Sequence, residues 1–301
     1  MAFLRINTLF YRLRIFTFLV FVIPVHLFSQ PDTVAKPETD STKKSFFQNL
    51  IHEIQRGKND SVRLASNFQF RQIIDSVLRI PSSFQANFDT IKNISVLTAP
   101  GEKFRIYTWT LPYFDGNRYD YFGFIQVPSD SGNKIRLIPL QDSTLVIQKP
   151  QSEKLISERW YGSVYYSILE NKAGKRTFYT LLGWKGVNAI STQKVAEVLY
   201  FDHDNPRFGF PLFKTGKVYK NRLVFTFTAQ SVMTLRYDNS KNMLVFDHLS
   251  GSSDKNQGSE DQVTIGGPDG TYDAMKFKKG KWILQQDVDV RTKGSQKKQT
   301  N

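Results

Sequence analysis

The stretch SVYYSILENKAGKRTFYTLLGW, residues 163–184, decides the fold. It holds two runs rich in aromatic and β-branched residues, with a polar, glycine-containing break between them. Val164, Tyr166 and Ile168 alternate along the first run, and Phe178, Thr180, Leu182 and Trp184 mirror them in the second. Period-two alternation on both sides of a short loop, here Asn171 to Lys175, is the signature of an antiparallel hairpin.

Working outward, the same period recurs. Toward the C-terminus the strand candidates are 196–201, 221–228, 232–237 and 243–246, then 272–278 and 282–290 joined through Lys279-Gly280-Lys281. Toward the N-terminus they are 104–110, 119–127, 134–140 and 145–148, with Asp115-Gly116-Asn117 a turn by composition. Before residue 82 the period changes. Phe46, Phe47, Leu50, Ile51 and Ile54 recur at helical spacing, as do Phe70, Ile73, Ile74, Val77 and Leu78, and Pro81 stops the second run. No long helix separates the later strands, so a parallel doubly wound sheet is excluded and the spacing fits no blade repeat. The expected class is mainly β with an N-terminal helical portion (α+β), its antiparallel sheet sandwich- or barrel-like. Residues 45–82 form the helical segment packed on that sheet, and 83–290 the β domain.

The flanks read differently. Residues 1–14 carry Arg5, Arg12 and Arg14 with no acid, 15–28 are almost wholly apolar, and Ser29-Gln30-Pro31 breaks the run. A basic start, a short apolar core and a small residue at the break describe a signal peptide over 1–30. The core is shorter than the roughly 20 residues a membrane span needs, so no span is expected once the leader is removed. Residues 31–44 read as a disordered spacer and 291–301 as a flexible basic tail.

Of 301 residues none is cysteine. That excludes a disulfide framework, a lipid anchor on an N-terminal cysteine, thiolate zinc sites and a cysteine nucleophile. The formal charge is +14, and removing the leader's three arginines leaves +11. Such an excess reads as dispersed lysine kept for solubility, against the alternative that it concentrates anionic partners. Outside the cytoplasm these are an anionic envelope component or glycan rather than nucleic acid.

Six stretches carry a resemblance: NFQFRQIIDSVLRI (67–80), FRIYTWTLP (104–112), YFGFIQV (121–127), YTLLGWKG (179–186), FDHL (246–249) and GPDGTYD (267–273). Together they resemble an uncharacterised secreted β-rich protein family of Bacteroidota, over most of residues 45–290. The resemblance implies a Gram-negative envelope setting, periplasmic or extracellular, and supplies no activity, cofactor or catalytic residue.

Candidate chemistry is sparse. Ser191 and Lys194 have Ser-x-x-Lys spacing and Lys214-Thr215-Gly216 follows, but the two lie too close to hold the helical domain that acyl-enzyme chemistry places between them. His203 and His248 each follow an aspartate at a strand end, within the echoing segments 198–203 and 243–248. If those ends met, the two imidazoles with Asp202, Asp204 and Asp247 would offer metal ligands. Read as sequence, they are turn formers and no metal or cofactor is expected. Asp115 to Asp120 and Asp269 to Asp273 lack the alternating oxygens of a calcium loop. Trp109, Trp160, Tyr161 and Trp184 are candidates for stacking on sugar rings, against their ordinary place in a core. Lys276, Lys278, Lys279 and Lys281, capped by Trp282, form a basic hairpin that reads as a solvated turn needing no partner, against the alternative of docking on an anionic surface.

With no coherent nucleophile, acid–base or metal set, the expected function is an exported, non-enzymatic binding or scaffold module of the cell envelope. The alternative is an extracytoplasmic hydrolase whose paired carboxylates converge only in space, since such pairs leave no sequence signature.

Overall fold

Three separate sheets, not one, take up the strands. The computed structural model describes residues 40–88, 91–250 and 266–289. The expected leader, the spacer up to residue 39 and the tail lie outside them.

Two helices come first. α1 (Asp40–Arg56) starts five residues before the expected helical segment does, so residues 40–44 are helix rather than spacer. No glycine or proline stands between 38 and 56 to stop the backbone from extending the helix N-terminally. α2 (Asp60–Leu78) is capped by Asn59, whose side-chain oxygen accepts from the Val62 amide at 3.0 Å.

Next, β1 (Ser95–Thr98), β2 (Arg105–Pro112), β3 (Tyr119–Pro128) and β4 (Ile135–Gln141) form a four-stranded antiparallel meander, the first sheet. The second sheet takes β5 (Leu155–Ile156), β6 (Val164–Ala173), β7 (Arg176–Gly186), β8 (Ser191–Asp202) and β9 (Asn205–Phe208). Its order is β5-β9-β8-β7-β6. Next come β10 (Phe213–Thr215), β11 (Val218–Lys220), β12 (Arg222–Thr228), β13 (Leu235–Asp238), β14 (Met243–Ser250), β15 (Gly267–Lys278) and β16 (Lys281–Gln285). Of these, β12 joins the second sheet on β8, and the others form the third sheet in the order β11-β10-β16-β15-β14-β13. All pairings are antiparallel except β10 with β16.

The sheets stack in layers with no closed barrel, giving a helix pair and then three sheets. Leu50, Ile54, Phe70 and Leu78 from the helices bury against Trp109, Leu111 and Phe124 of the first sheet. Phe70 meets the Trp109 ring edge-on at 5.2 Å, and the indole Nε1 donates to Asn67 Oδ1 at 2.9 Å. Each such side chain contributes roughly 1.5–3 kcal/mol by burial. Phe46, expected in that stripe, is 49 % exposed instead.

The other face of the first sheet (Phe104, Ile106, Tyr121, Ile125) packs on Tyr165, Tyr179, Leu181, Val195 and Leu199 of the second. The alternate residues of that sheet (Phe178, Leu182, Ala196, Val198) pack on Leu235, Leu244, Met275 and Trp282 of the third. The second sheet is therefore covered on both faces, which is why most of β7 and the middle of β8 are buried. Within the deciding hairpin, a register shift between Tyr165 and Ser167 changes the expected facing. Tyr165 enters the core at 0 % exposure, and Tyr166 turns outward with its hydroxyl on Leu235 O at 2.7 Å. Residues 145–148 are not a strand. Thr144–Val146 is a turn of 3₁₀ helix, because the Asp142 carboxylate takes both the Thr144 amide (2.9 Å) and its hydroxyl (2.5 Å).

Candidate anion-binding face

The sequence-flagged residues scatter. His203 stands 95 % exposed in the tight turn between β8 and β9, its Nδ1 3.3 Å from Asp202. The Asp204 carbonyl in the same turn accepts from Arg136. His248 lies in β14 of the third sheet, 3.0 Å from Asp273, and Asp247 accepts from the Thr234 amide at 2.7 Å. Among the described residues no three His, Asp or Glu side chains converge on a metal position. The echoing segments end in different sheets, so the strand ends do not pair with each other. Ser191 and Lys194 sit on β8, and Lys214 and Thr215 close β10, so neither motif has a helix to work from. Asp115 and Asp269 each accept from the amide two residues on, as turn residues do.

The expected sugar-stacking aromatics are mostly interior. Trp109, Trp160 and Tyr161 are buried, and only Trp184 is half-buried, against Tyr119. Trp282 does not cap an exposed hairpin either. It is 1 % exposed, with Nε1 on Thr180 Oγ1 at 3.0 Å.

Two cations unmarked in the sequence lie sealed between the first and second sheets. Lys185 of β7 donates to Thr144 Oγ1 (2.7 Å) and Gly162 O (2.5 Å), with Nζ over the rings of Tyr121 and Tyr161 at 4.1 and 4.5 Å. Burial pushes its ammonium down to about 7, with the Asp142 charge opposing and the Arg222 charge adding to the fall. Across the Tyr161 ring, Arg222 of β12 pairs with Glu197 of β8, both side chains at 0 % exposure. Burial raises the Glu197 carboxyl, and the charge and hydrogen bond of Arg222 hold it down. Every partner here is internal except for Arg222 Nη2, which has none among the described residues. This is a fastening between layers, with its chemistry committed to the fold.

At one end of the stack the cations face water. The β6–β7 turn reads Lys172-Ala173-Gly174-Lys175-Arg176, and the β15–β16 turn reads Lys276-Phe277-Lys278-Lys279-Gly280-Lys281. They come from different sheets about a hundred residues apart, yet they touch. A Cβ on Gly280 would sit 2.8 Å from Ala173 Cβ, and its φ of +75° is itself a glycine conformation. These eleven residues hold seven cations and no acid, and neither 171–196 nor 274–286 contains Asp or Glu. Lys172, Lys175, Arg176, Lys278 and Lys279 are exposed. Arg176 lies over the Tyr200 ring at 5.7 Å, and Lys281 reaches Pro211 O at 2.9 Å beside Phe210 and Tyr219.

Beside the β6–β7 turn opens a cleft of about 440 Å³ lined by Lys175, Arg176, Thr177, Tyr179 and Phe201. Phe104 backs it, edge-on to Tyr179 at 4.8 Å and tilted on Phe201 at 5.2 Å. Burial, then the charge of Glu170, raises the Tyr179 phenol, so it stays a neutral donor. A second cleft of about 320 Å³ lies at the helix–sheet edge by Gln55, Arg63 and Tyr119.

The basic turn 276–281 was visible in sequence. Its partner turn was visible only as a loop, and the contact between them depends on which sheets face each other. No protein-family profile, curated protein or solved structure matches the chain. No helix among the described residues is long and apolar enough to cross a membrane.

Proposed function

We propose that the chain is an exported, non-catalytic binding or scaffold module of a bacterial cell envelope, and that it holds an anionic envelope component on its basic end. One observation carries the reading: two hairpin turns from separate sheets touch and present seven cations with no acid among them. Like charges drawn together cost self-repulsion, and an anionic partner relieves it. The layered fold beneath holds the turns in place, as a binding face requires. The leader-like first 30 residues support export, and the charge of +11 left after leader removal (+14 less the three leader arginines) supports an anionic partner.

Retention on an immobilised polyanion tests the binding half. The purified protein is expected to bind polygalacturonate or dextran sulfate at low salt and to elute as salt shortens the screening length toward about 3 Å near 1 M. It is expected to pass through uncharged dextran. Passage through both polyanions at low salt overturns the reading. Expression with its own leader in a Gram-negative host tests the export half, by fractionation and N-terminal sequencing. Protein kept in the cytoplasm with Met1 in place overturns it.

A further inference from the structure

We infer that the cleft beside the β6–β7 turn seats one acidic sugar ring of a polysaccharide, with the touching basic turns holding the chain on either side of it. The inference rests on the reading of the basic end as an anion-binding face and names what that face takes.

The cleft's size and lining carry the argument. About 440 Å³ falls within the range of small-ligand clefts, and the walls combine two cations, two hydroxyls and two aromatic rings, one of the hydroxyls on a ring. A sugar ring bearing an acid presents the matching set. Its C–H face suits the half-buried Phe201 ring, its hydroxyls suit Thr177 and the Tyr179 phenol, and its anion suits Arg176. Arg176 is exposed, with its guanidinium carbon 5.7 Å from the Tyr200 ring centroid.

The placement of exposed apolar residues favours a polysaccharide over an anionic membrane. A protein that lies on a bilayer needs apolar tips and cations on one face. Here five exposed apolar tips, Phe114, Leu145, Val146, Ile190 and Val232, lie at the opposite end of the stack, whereas near the basic turns the exposed pair is Val218 and Tyr219 of the β10–β11 hairpin, the Tyr219 ring lying under Lys214 and Lys281. Ile190 follows β7, whose other end begins at Arg176, and the Ala229 amide, next to the Val232 loop, donates to Ile190 O. Thr144 beside Leu145 meets Lys185, and the β2–β3 turn that carries Phe114 leads into Tyr119, which packs on Trp184.

Calorimetry on the intact protein separates the possibilities. The probes are a short galacturonate oligomer, its methyl-esterified counterpart, long polygalacturonate and phosphatidylglycerol vesicles. The short acidic oligomer is expected to bind, with its affinity down by at least about tenfold in Arg176→Gln and in Thr177→Val, a change readable in the measured Kd. Lys278→Gln with Lys279→Gln is expected to weaken the long polymer and leave the short oligomer unchanged. The inference is overturned if Arg176→Gln leaves the oligomer affinity intact, if the esterified oligomer binds equally well, or if vesicles bind while oligomers do not. Binding of the long polymer alone would sink the ring seat and leave the basic face standing. Binding of no probe at all would sink both. Circular dichroism of each variant confirms that it is folded.

Discussion

Between the first and second sheets Lys185 and Arg222 are shut away from water, while at the end of the stack Lys172, Lys175, Arg176, Lys278 and Lys279 stand in it. The two groups are alike in residue type and opposite in use. Each buried cation is bound by groups that cannot leave: Thr144, Gly162 and the rings of Tyr121 and Tyr161 for Lys185, and Glu197 and Pro150 for Arg222. Among the described residues, Arg176 is the one exposed cation of the five that lies over a ring, and none of the five pairs with Asp or Glu. A charge with internal partners serves the fold, and on the proposed reading a charge without them is held out for a ligand. Substitutions should divide along the same line.

The largest effect is expected at the buried pair. Glu197→Ala leaves the Arg222 guanidinium charged and enclosed, which costs about 3–5 kcal/mol when one member of a buried pair is removed. Urea unfolding followed by tryptophan fluorescence measures it. A loss below about 1 kcal/mol, the scale of an exposed pair, would mean that water reaches Arg222 and that the contrast between the two regions is false.

Lys185 sharpens the contrast through pH. Its folded-state value is lowered to about 7, whereas in the unfolded chain it keeps the ordinary lysine value of 10.5. Between these values the unfolded state binds more protons, so stability rises with pH across that window. The gain is roughly 2 kcal/mol between pH 7 and pH 9 by the linkage relation. Lys185→Met removes that rise and keeps most of the packing volume. Comparing the two proteins' pH profiles cancels the change in overall charge, which both share. Parallel profiles would show that Lys185 is solvated.

How much of this the sequence displays depends on range. Local features were legible: the deciding hairpin, the α2 stripe, the meander over 105–141 and the basic turn at 276–281. Strands of two to four residues, such as β5, β9, β10 and β11, are too short to show a period. The division into three sheets was not legible either, because alternation tells which residues share a face and not which face meets which. Lys185 carried one faint signal. It is a lone cation in a run of buried β residues, where an exposed face would show polar partners at alternate positions. Trp282 was misplaced for the same reason. Its neighbours are lysines, but the third sheet turns it inward onto Thr180.

That inward indole gives a smaller test. Trp282→Phe keeps the ring in the core and removes the hydrogen bond from Nε1 to Thr180 Oγ1, whose own hydroxyl still donates to Asn171 Oδ1 at 2.6 Å. The expected cost is about 1 kcal/mol, that of one buried neutral hydrogen bond plus a small volume loss. A null result in urea unfolding would place the indole N–H in water. It would also reopen Trp282 as an exposed cap on the basic turn.

The smallest effect on stability is expected at two lysines that the proposed reading gives to polymer binding. Lys278 and Lys279 are exposed on the β15–β16 turn and touch no acid in the described structure. The double variant Lys278→Gln, Lys279→Gln should therefore move the unfolding free energy by no more than about 0.5 kcal/mol. If it moves at all, it should move upward, since two like charges beside Lys172 and Lys175 are gone. The same variant should elute from polygalacturonate at lower salt than the parent, because fewer screened contacts hold it. Unchanged elution would remove these two lysines from the binding face. A loss of stability comparable to that of Glu197→Ala would show that they fasten the turn, and the distinction between charge spent inside and charge held out for a partner would then fail where it matters most.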